Sequence, residues 1–225
     1  MNKANAASLA GTVGPPALLD HLVWLAGDLD AACAQFEALS GVAPDYGGVH
    51  PGGTHNAIVG LGDKMYLEIA APMPEAEAGA GHPWVDAARQ RPEPHLYSYC
   101  MRSTGLLSTL AEEVKAAGIK AFGPLPGSRT TPEGQTLKWQ LFIPVLPGAG
   151  SIIPFHIDWQ DTPHPARTSS SPLTLTGFHV KHAEPERFRD AMSLLAPGVR
   201  LERSESHSRL IARLSTPLGP VTLSN

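Results

Sequence analysis

Cysteine is scarce in this sequence: only Cys33 and Cys100 occur among 225 residues. Both lie in apolar segments, so the expectation is buried free thiols rather than a disulfide, as suits a reducing cytoplasm. Positive charge is also in short supply. Seventeen Lys and Arg stand against 21 Asp and Glu, for a net charge of -4. Without a basic excess there is no electrostatic footprint for nucleic acid. No apolar run approaches the roughly 18 residues of a membrane helix, so no membrane partner is expected. G-x-S-x-G, C-x-x-C, a post-strand G-x-G-x-x-G and a Gly-Lys-Ser/Thr ending are all missing. These absences argue against a serine hydrolase, a dithiol centre and the common nucleotide cradles, and no organic cofactor is indicated. Met1–Pro16 has Lys3 but no apolar core before its Gly-Pro stretch, and reads as a flexible leader.

Glycine and proline are plentiful, 22 of each, well above the roughly 12% combined share of an average protein. They imply many turns between short elements. An apolar fraction of 42% with 17% charged residues suits a globular chain with a real core. Leu29, Ala32, Cys33, Phe36 and Leu39 mark one helix face at i, i+3, i+4, i+7 spacing, with Asp28 as N-cap and Gly41 as terminator. Leu107, Leu110, Val114 and Ala117 mark a second helix, capped by Ser103 or Thr104 and ended by Gly118. Phe188, Ala191, Met192 and Leu195 mark a third, with Pro185 in its first turn and Gly198 beyond its end. Strands are expected at 18–25, 56–61, 65–70, 96–101, 138–143, 152–159, 173–180, 199–203, 209–214 and 221–224. His82, His164, His182 and His207 fall in polar stretches and are expected to be exposed.

Strand–helix–strands therefore occurs three times. Gly41 and Gly118 align at an offset of 77. Glu68 and His156, by their places within their units, align at 88, which puts extra residues in the loops around Pro124–Gly134 and Pro144–Ser151. Alternation places Glu68 with Tyr66 on one face of its strand, and His156 with Asp158 on one face of the other. The expected organisation is a leader (1–16), a first unit (17–72), a linker (73–94), a second unit (95–160), a linker (161–172) and a partial third unit (173–225) on the same domain.

Several strings carry a resemblance. They are Asp20-His21-Leu22-Val23-Trp24 with Asp28-Leu29-Asp30-Ala31-Ala32, His50-Pro51-Gly52-Gly53-Thr54-His55-Asn56-Ala57, and Tyr66-Leu67-Glu68-Ile69. Arg129…Pro132-Glu133-Gly134…Leu137-Lys138-Trp139 and Pro154-Phe155-His156-Ile157-Asp158-Trp159 complete the set. Together, over roughly Leu18 to Trp159, they resemble the vicinal-oxygen-chelate superfamily and its glyoxalase-like branch. The resemblance implies an α+β fold of tandem βαβββ modules curled into a cup, followed here by a partial βαββ unit.

It also implies a metal held by the first and last strands of each module. Position by position the ligands would be His21, Glu68 and His156, with Ser98 in the remaining place. Two imidazoles and a carboxylate suit Zn, Fe, Mn, Ni or Co with open positions. Glu68 is equally a candidate general base. His50, His55 and Asn56 form either a substrate-binding rim or a structural turn. Arg129 would hold a substrate carboxylate or a surface ion pair, and Trp139 would wall a pocket or fill the core. The implied activity is a metal-dependent lyase, isomerase or dioxygenase acting on a small oxygen-bearing molecule. The alternative is a metal-free small-molecule binder of the same fold. A homodimer is a further possibility, with the third unit at the interface.

Overall fold

The computed structural model describes residues 16, 18–76, 83–103, 105–167, 169, 171–205 and 208–225. The leader, Pro16 apart, lies outside these, as do Thr104, His82 and His207. The first module runs β1 (Leu19–Leu25), α1 (Leu29–Ser40), β2 (Asp45–His50), β3 (Thr54–Gly60) and β4 (Tyr66–Pro72). A short helix, α2 (Pro83–Gln90), lies between modules. The second module runs β5 (His95–Arg102), α3 (Leu107–Ala116), β6 (Lys120–Thr130), β7 (Thr136–Val145) and β8 (Phe155–Asp158). The chain ends with β9 (Thr174–His182), α4 (Pro185–Leu195), β10 (Leu201–Arg203), β11 (Arg209–Thr216) and β12 (Gly219–Ser224).

Eight strands close a barrel in the order β1-β4-β3-β2-β6-β7-β8-β5. The modules thus meet at two seams. The β1–β5 seam is long and antiparallel, from Leu19↔Met101 to Leu25↔His95. At the other seam, β2 meets β6 only at Val49↔Thr130. Gly48 makes that close approach possible. Its φ is +133°, and a Cβ there would overlap the Thr130 carbonyl.

The helix signals translate well into structure. Asp28 caps α1 by accepting the Ala31 N–H at 2.8 Å, and Gly41 takes the left-handed conformation at φ 76°. Leu29, Ala32 and Phe36 bury against Leu67 and Ile69 of β4 in one core. α3 starts differently from expectation. Leu106 occupies the N-cap without a side-chain bond, because Ser103 turns its hydroxyl to the Gly105 carbonyl at 2.5 Å.

Three elements depart from the sequence expectation. The 73–94 linker contains α2, which buries Val85 and Ala88. The presumed loops also contain β2 and β6. Glycines interrupt alternation in β2, and prolines interrupt it in β6. Such residues are tolerated at a sheet margin, and the sparse β2–β6 seam is one.

The C-terminal unit is a separate four-stranded sheet, ordered β10-β9-β11-β12. It has strand, helix and three further strands, but not the β1-β4-β3-β2 order of a module. Its Leu175, Val180, Leu210 and Leu214 join Phe188 and Met192 of α4 in the core that holds Leu19, Tyr99 and Met101. It thus packs on the β1–β5 seam, behind the cup. His182, expected to be exposed, is buried at 6% exposure, with its Nε2 against the Gly148 carbonyl at 3.1 Å.

Candidate functional site in the barrel mouth

The barrel encloses a cavity of about 550 Å³, within the roughly 300–1,000 Å³ range of small-molecule sites. His21 of β1 and Tyr66 and Glu68 of β4 line one wall, as alternation in β4 predicts. Leu67 and Ile69, on the other face of β4, enter the core against α1.

A β-bulge shapes this wall. Leu19 pairs with Met101 and His21 with Cys100, which leaves Asp20 as the extra residue. Bulges re-aim side chains, and here two consecutive residues come together. His21 Nδ1 lies 2.8 Å from Asp20 Oδ1. A carboxylate only accepts, so Nδ1 carries the proton and Nε2 is left toward Glu68 Oε2, 3.6 Å away. Tyr66 stacks on the imidazole, with centroids 4.6 Å apart.

Asp20 is fully buried and also accepts from Trp159 Nε1 (3.2 Å), Arg102 Nε (3.3 Å) and His164 Nε2 (3.1 Å). Burial alone would raise its pKa. The hydrogen bonds from His164 and His21 outweigh that and hold the carboxyl well below its ordinary range. His164 was expected at the surface. It is instead largely buried, because Asp20 offers its Nε2–H an acceptor while its Nδ1 accepts the Ala166 N–H.

Glu68 is shared. Asn56 of β3 donates Nδ2–H to Oε1 at 2.7 Å, and His50 Nε2 stands 3.9 Å from the same oxygen. His50 is steadied by Thr54, with Nδ1 3.1 Å from the hydroxyl. Arg129 of β6 is 5% exposed and donates Nη1–H to the Gly47 carbonyl. Burial pushes its pKa down, against the opposing pull of Tyr66 and Glu68. Gly47 makes this packing possible, since a Cβ there would overlap Asn56 Oδ1 and Arg129 Nη1. The opposite wall is apolar, with Trp84, Trp139, Leu141, Phe155, Ile157 and Trp159. Trp139 and Trp159 lie 5.4 Å apart between centroids.

Of the residues read from the sequence, His21, His50, Asn56, Glu68, Arg129 and Trp139 therefore converge on one cavity. His55 and His156 do not. His55 alternates to the other face of β3, beside Tyr46. The offset of 77 is carried by the strand register. His21↔Cys100 and Val23↔Ser98 exchange under it, and Tyr97, the counterpart of Asp20, is likewise the residue skipped at the second irregularity. Val23 pairs with Glu68 and Cys100 with Phe155. The counterpart of Glu68 is thus Phe155, one residue before His156. His156 faces away, buried beside Phe142, with its Nε2 unpartnered among the described residues. Burial lowers its pKa to about 4. The aromatic face of β8, not the polar face that the sequence suggests, lines the cavity.

Asp20, His21 and Cys100 place ligand atoms within 4.8 Å of one another. This trio is a poor ion site. Asp20 already accepts from four side chains, His21 Nδ1 is committed to it, and burial pushes the Cys100 thiol well up. Sequence reasoning also missed His164 and Trp84. The aromatic character of Trp84 was visible, but not the helix that carries it to the mouth.

A family model described as a glyoxalase-like domain matches residues 19–195. No curated protein matches the chain in sequence. Among solved structures, a hypothetical protein from Staphylococcus aureus is similar at 14% identity and TM-score 0.65, covering 92% of this chain and 84% of that one. Methylmalonyl-CoA epimerase from Streptomyces coelicolor, as a variant with 2-nitronate-propionyl-CoA, shows 15% identity and TM-score 0.48, covering 67% of this chain and all of that one. The Mycobacterium tuberculosis epimerase shows 15% identity and TM-score 0.40, covering 57% and 81%. No helix among the described residues is long and apolar enough to cross a membrane.

Proposed function

The chain belongs to the glyoxalase-like domain family, and from that premise we propose that it is a metal-dependent enzyme of the lyase, isomerase or dioxygenase type, acting on a small oxygen-bearing molecule in the barrel. The observation that carries this reading is the facing pair His21 Nε2 and Glu68 Oε2. At 3.6 Å they are beyond hydrogen-bond length, and with Nδ1 protonated toward Asp20 both atoms present lone pairs. A cation between them resolves that opposition.

The donor set fits a divalent ion. Two ligand atoms, each roughly 2.1 Å from a metal, stand about 3.0–3.4 Å apart at tetrahedral or octahedral angles. His21 Nε2 lies 3.6 Å from Oε2 and His50 Nε2 3.9 Å from Oε1, the two different oxygens of one carboxylate. The three residues do not bring one ligand atom each within 4.8 Å of one another, so His50 would have to move inward to share the ion. His21, Glu68 and His50 would hold the ion, and two histidines with a carboxylate suit Zn, Fe, Mn, Ni or Co. When bound, such an ion supplies Lewis-acid polarisation of substrate oxygens. The other roles belong to the chain. Asp20 fixes the tautomer of His21, as outer carboxylates do for ligating histidines. Asn56 holds the Glu68 carboxylate in orientation. An oxygen of Glu68 left free by the ion would take a proton from a bound substrate.

Metal content of protein purified without chelators tests the reading. Close to one equivalent is expected, lost in His21→Ala and Glu68→Gln. Less than about a tenth of an equivalent after reloading would sink it. One observation favours the second reading, a metal-free binding protein. The second module offers Ser98 and Phe155 where the first offers His21 and Glu68. A melting temperature indifferent to EDTA but raised by an organic ligand would select that alternative.

A further inference from the structure

Among the described residues Arg129 has no ion-pair partner. Its side chain is 5% exposed and lines the cavity. A guanidinium has five N–H donors, and its only acceptor among the described residues is the Gly47 carbonyl. A buried charge is costly unless it is paired. Glu68 influences it electrostatically, but that carboxylate is already engaged by Asn56. Beside the guanidinium, Asn56 Oδ1 is buried without a hydrogen-bond partner among the described residues. Its identity as oxygen is fixed, since the carboxylate of Glu68 requires the amide nitrogen on its side.

The strand register then places an apolar surface next to this charge. Arg129 pairs with Leu137 and Gly127 with Trp139 across β6 and β7. Residues one such diagonal apart are roughly 7–8 Å from each other. Trp139 and, behind it, Trp159 therefore stand about one short linker away. Among the described residues Arg129 is the sole Lys or Arg lining the cavity, so the site offers one guanidinium to one carboxylate.

We propose that the substrate class is a small monocarboxylic acid with a flat aromatic body, its carboxylate forked onto Arg129 and its ring against Trp139 and Trp159. The inference deepens the proposed function by naming what enters that cavity. It needs no metal, so the two can fail separately. A planar guanidinium reads a planar carboxylate by two parallel hydrogen bonds, and the tryptophans contribute area that aliphatic acids cannot use. A purely structural Arg129 would pin Gly47 and nothing more.

The test is binding of 3-phenylpropionate, 3-phenylpropanamide and acetate to the full chain in EDTA, read by calorimetry and tryptophan fluorescence. The acid is expected to bind about tenfold or more tighter than its amide, as charge-assisted pairing implies, and to quench the tryptophans. Acetate is expected to bind more weakly than the aromatic acid. Arg129→Met should abolish the preference for acid over amide. Should that variant fail to fold by circular dichroism, Arg129→Lys should lower the preference while keeping the charge. Equal binding of acid and amide, equal binding of acetate and the aromatic acid, or no binding of any probe at millimolar concentration overturns the proposal. A protein that discriminates acid from amide yet takes up no metal refutes the proposed metal chemistry alone. A metal-loaded protein that does not discriminate refutes this inference alone.

Discussion

At the residue scale, the site depends on what Asp20 and Gly47 do for their neighbours. Asp20 accepts from His21, Arg102, Trp159 and His164 at the bottom of the wall. An amide has one acceptor atom and cannot serve four donors. Breaking a buried charged network by one partner costs about 3–5 kcal/mol, so Asp20→Asn should lower the unfolding free energy by roughly that amount in urea titrations. A loss below about 1 kcal/mol would mean that water replaces the network. Gly47→Ala acts by volume. The new methyl must displace Asn56 Oδ1 and Arg129 Nη1, and overpacking of this kind costs about 1–3 kcal/mol. The change should also weaken binding of 3-phenylpropionate, and unchanged affinity would show that the guanidinium is placed without this contact. Neither role was legible in the sequence. Asp20 and His21 are adjacent in a strand, and simple alternation sends them apart; only the bulge unites them. Glu68 with Tyr66 was legible, because β4 alternates cleanly.

At the element scale, β8 shows how a correct periodicity yields a wrong site. The parity separating His156 from Phe155, Ile157 and Trp159 was sound. The assignment of the polar face to the cavity failed, because the second module contributes the apolar wall. That leaves His156 as a buried neutral imidazole behind β8, with a consequence for acid stability. Its pKa is lowered to about 4 by burial, against roughly 6.5 when unfolded. The unfolded chain therefore binds the proton first as pH falls. Stability is complete above about pH 6.5, declines as pH drops below it, and the loss stops growing below about pH 4. The full swing is up to about 3 kcal/mol. His156→Phe, packed beside Phe142, should flatten the melting temperature between those limits. A variant with the same pH dependence as the parent would assign the acid sensitivity to other groups.

For the whole molecule, the two modules were readable because each repeats a helix face, a terminating glycine and a fixed offset. The barrel seams were not, since β2 and β6 are written in glycine and proline and pair only where Gly48 permits. The C-terminal unit followed the strand–helix–strands order in sequence, but its sheet order serves another end. It provides the inner support of the β1–β5 seam, the same seam that carries Asp20 and His21. Tyr99 illustrates the coupling: its hydroxyl donates to the Ile152 carbonyl at 2.6 Å, and its ring meets Phe178 of β9 at 5.0 Å. Removing residues 173–225 would strip the cover from Leu19, Tyr99 and Met101, all essentially inaccessible in the folded chain. A contiguous apolar face of that kind drives association. The truncated chain should therefore bind a hydrophobic dye and aggregate, and Phe178→Ala in the full chain should cost about 3–5 kcal/mol. A soluble truncated barrel with its melting temperature intact would show that the cup stands by itself. In that case the C-terminal sheet would be an addition to the fold, not the back wall of its site.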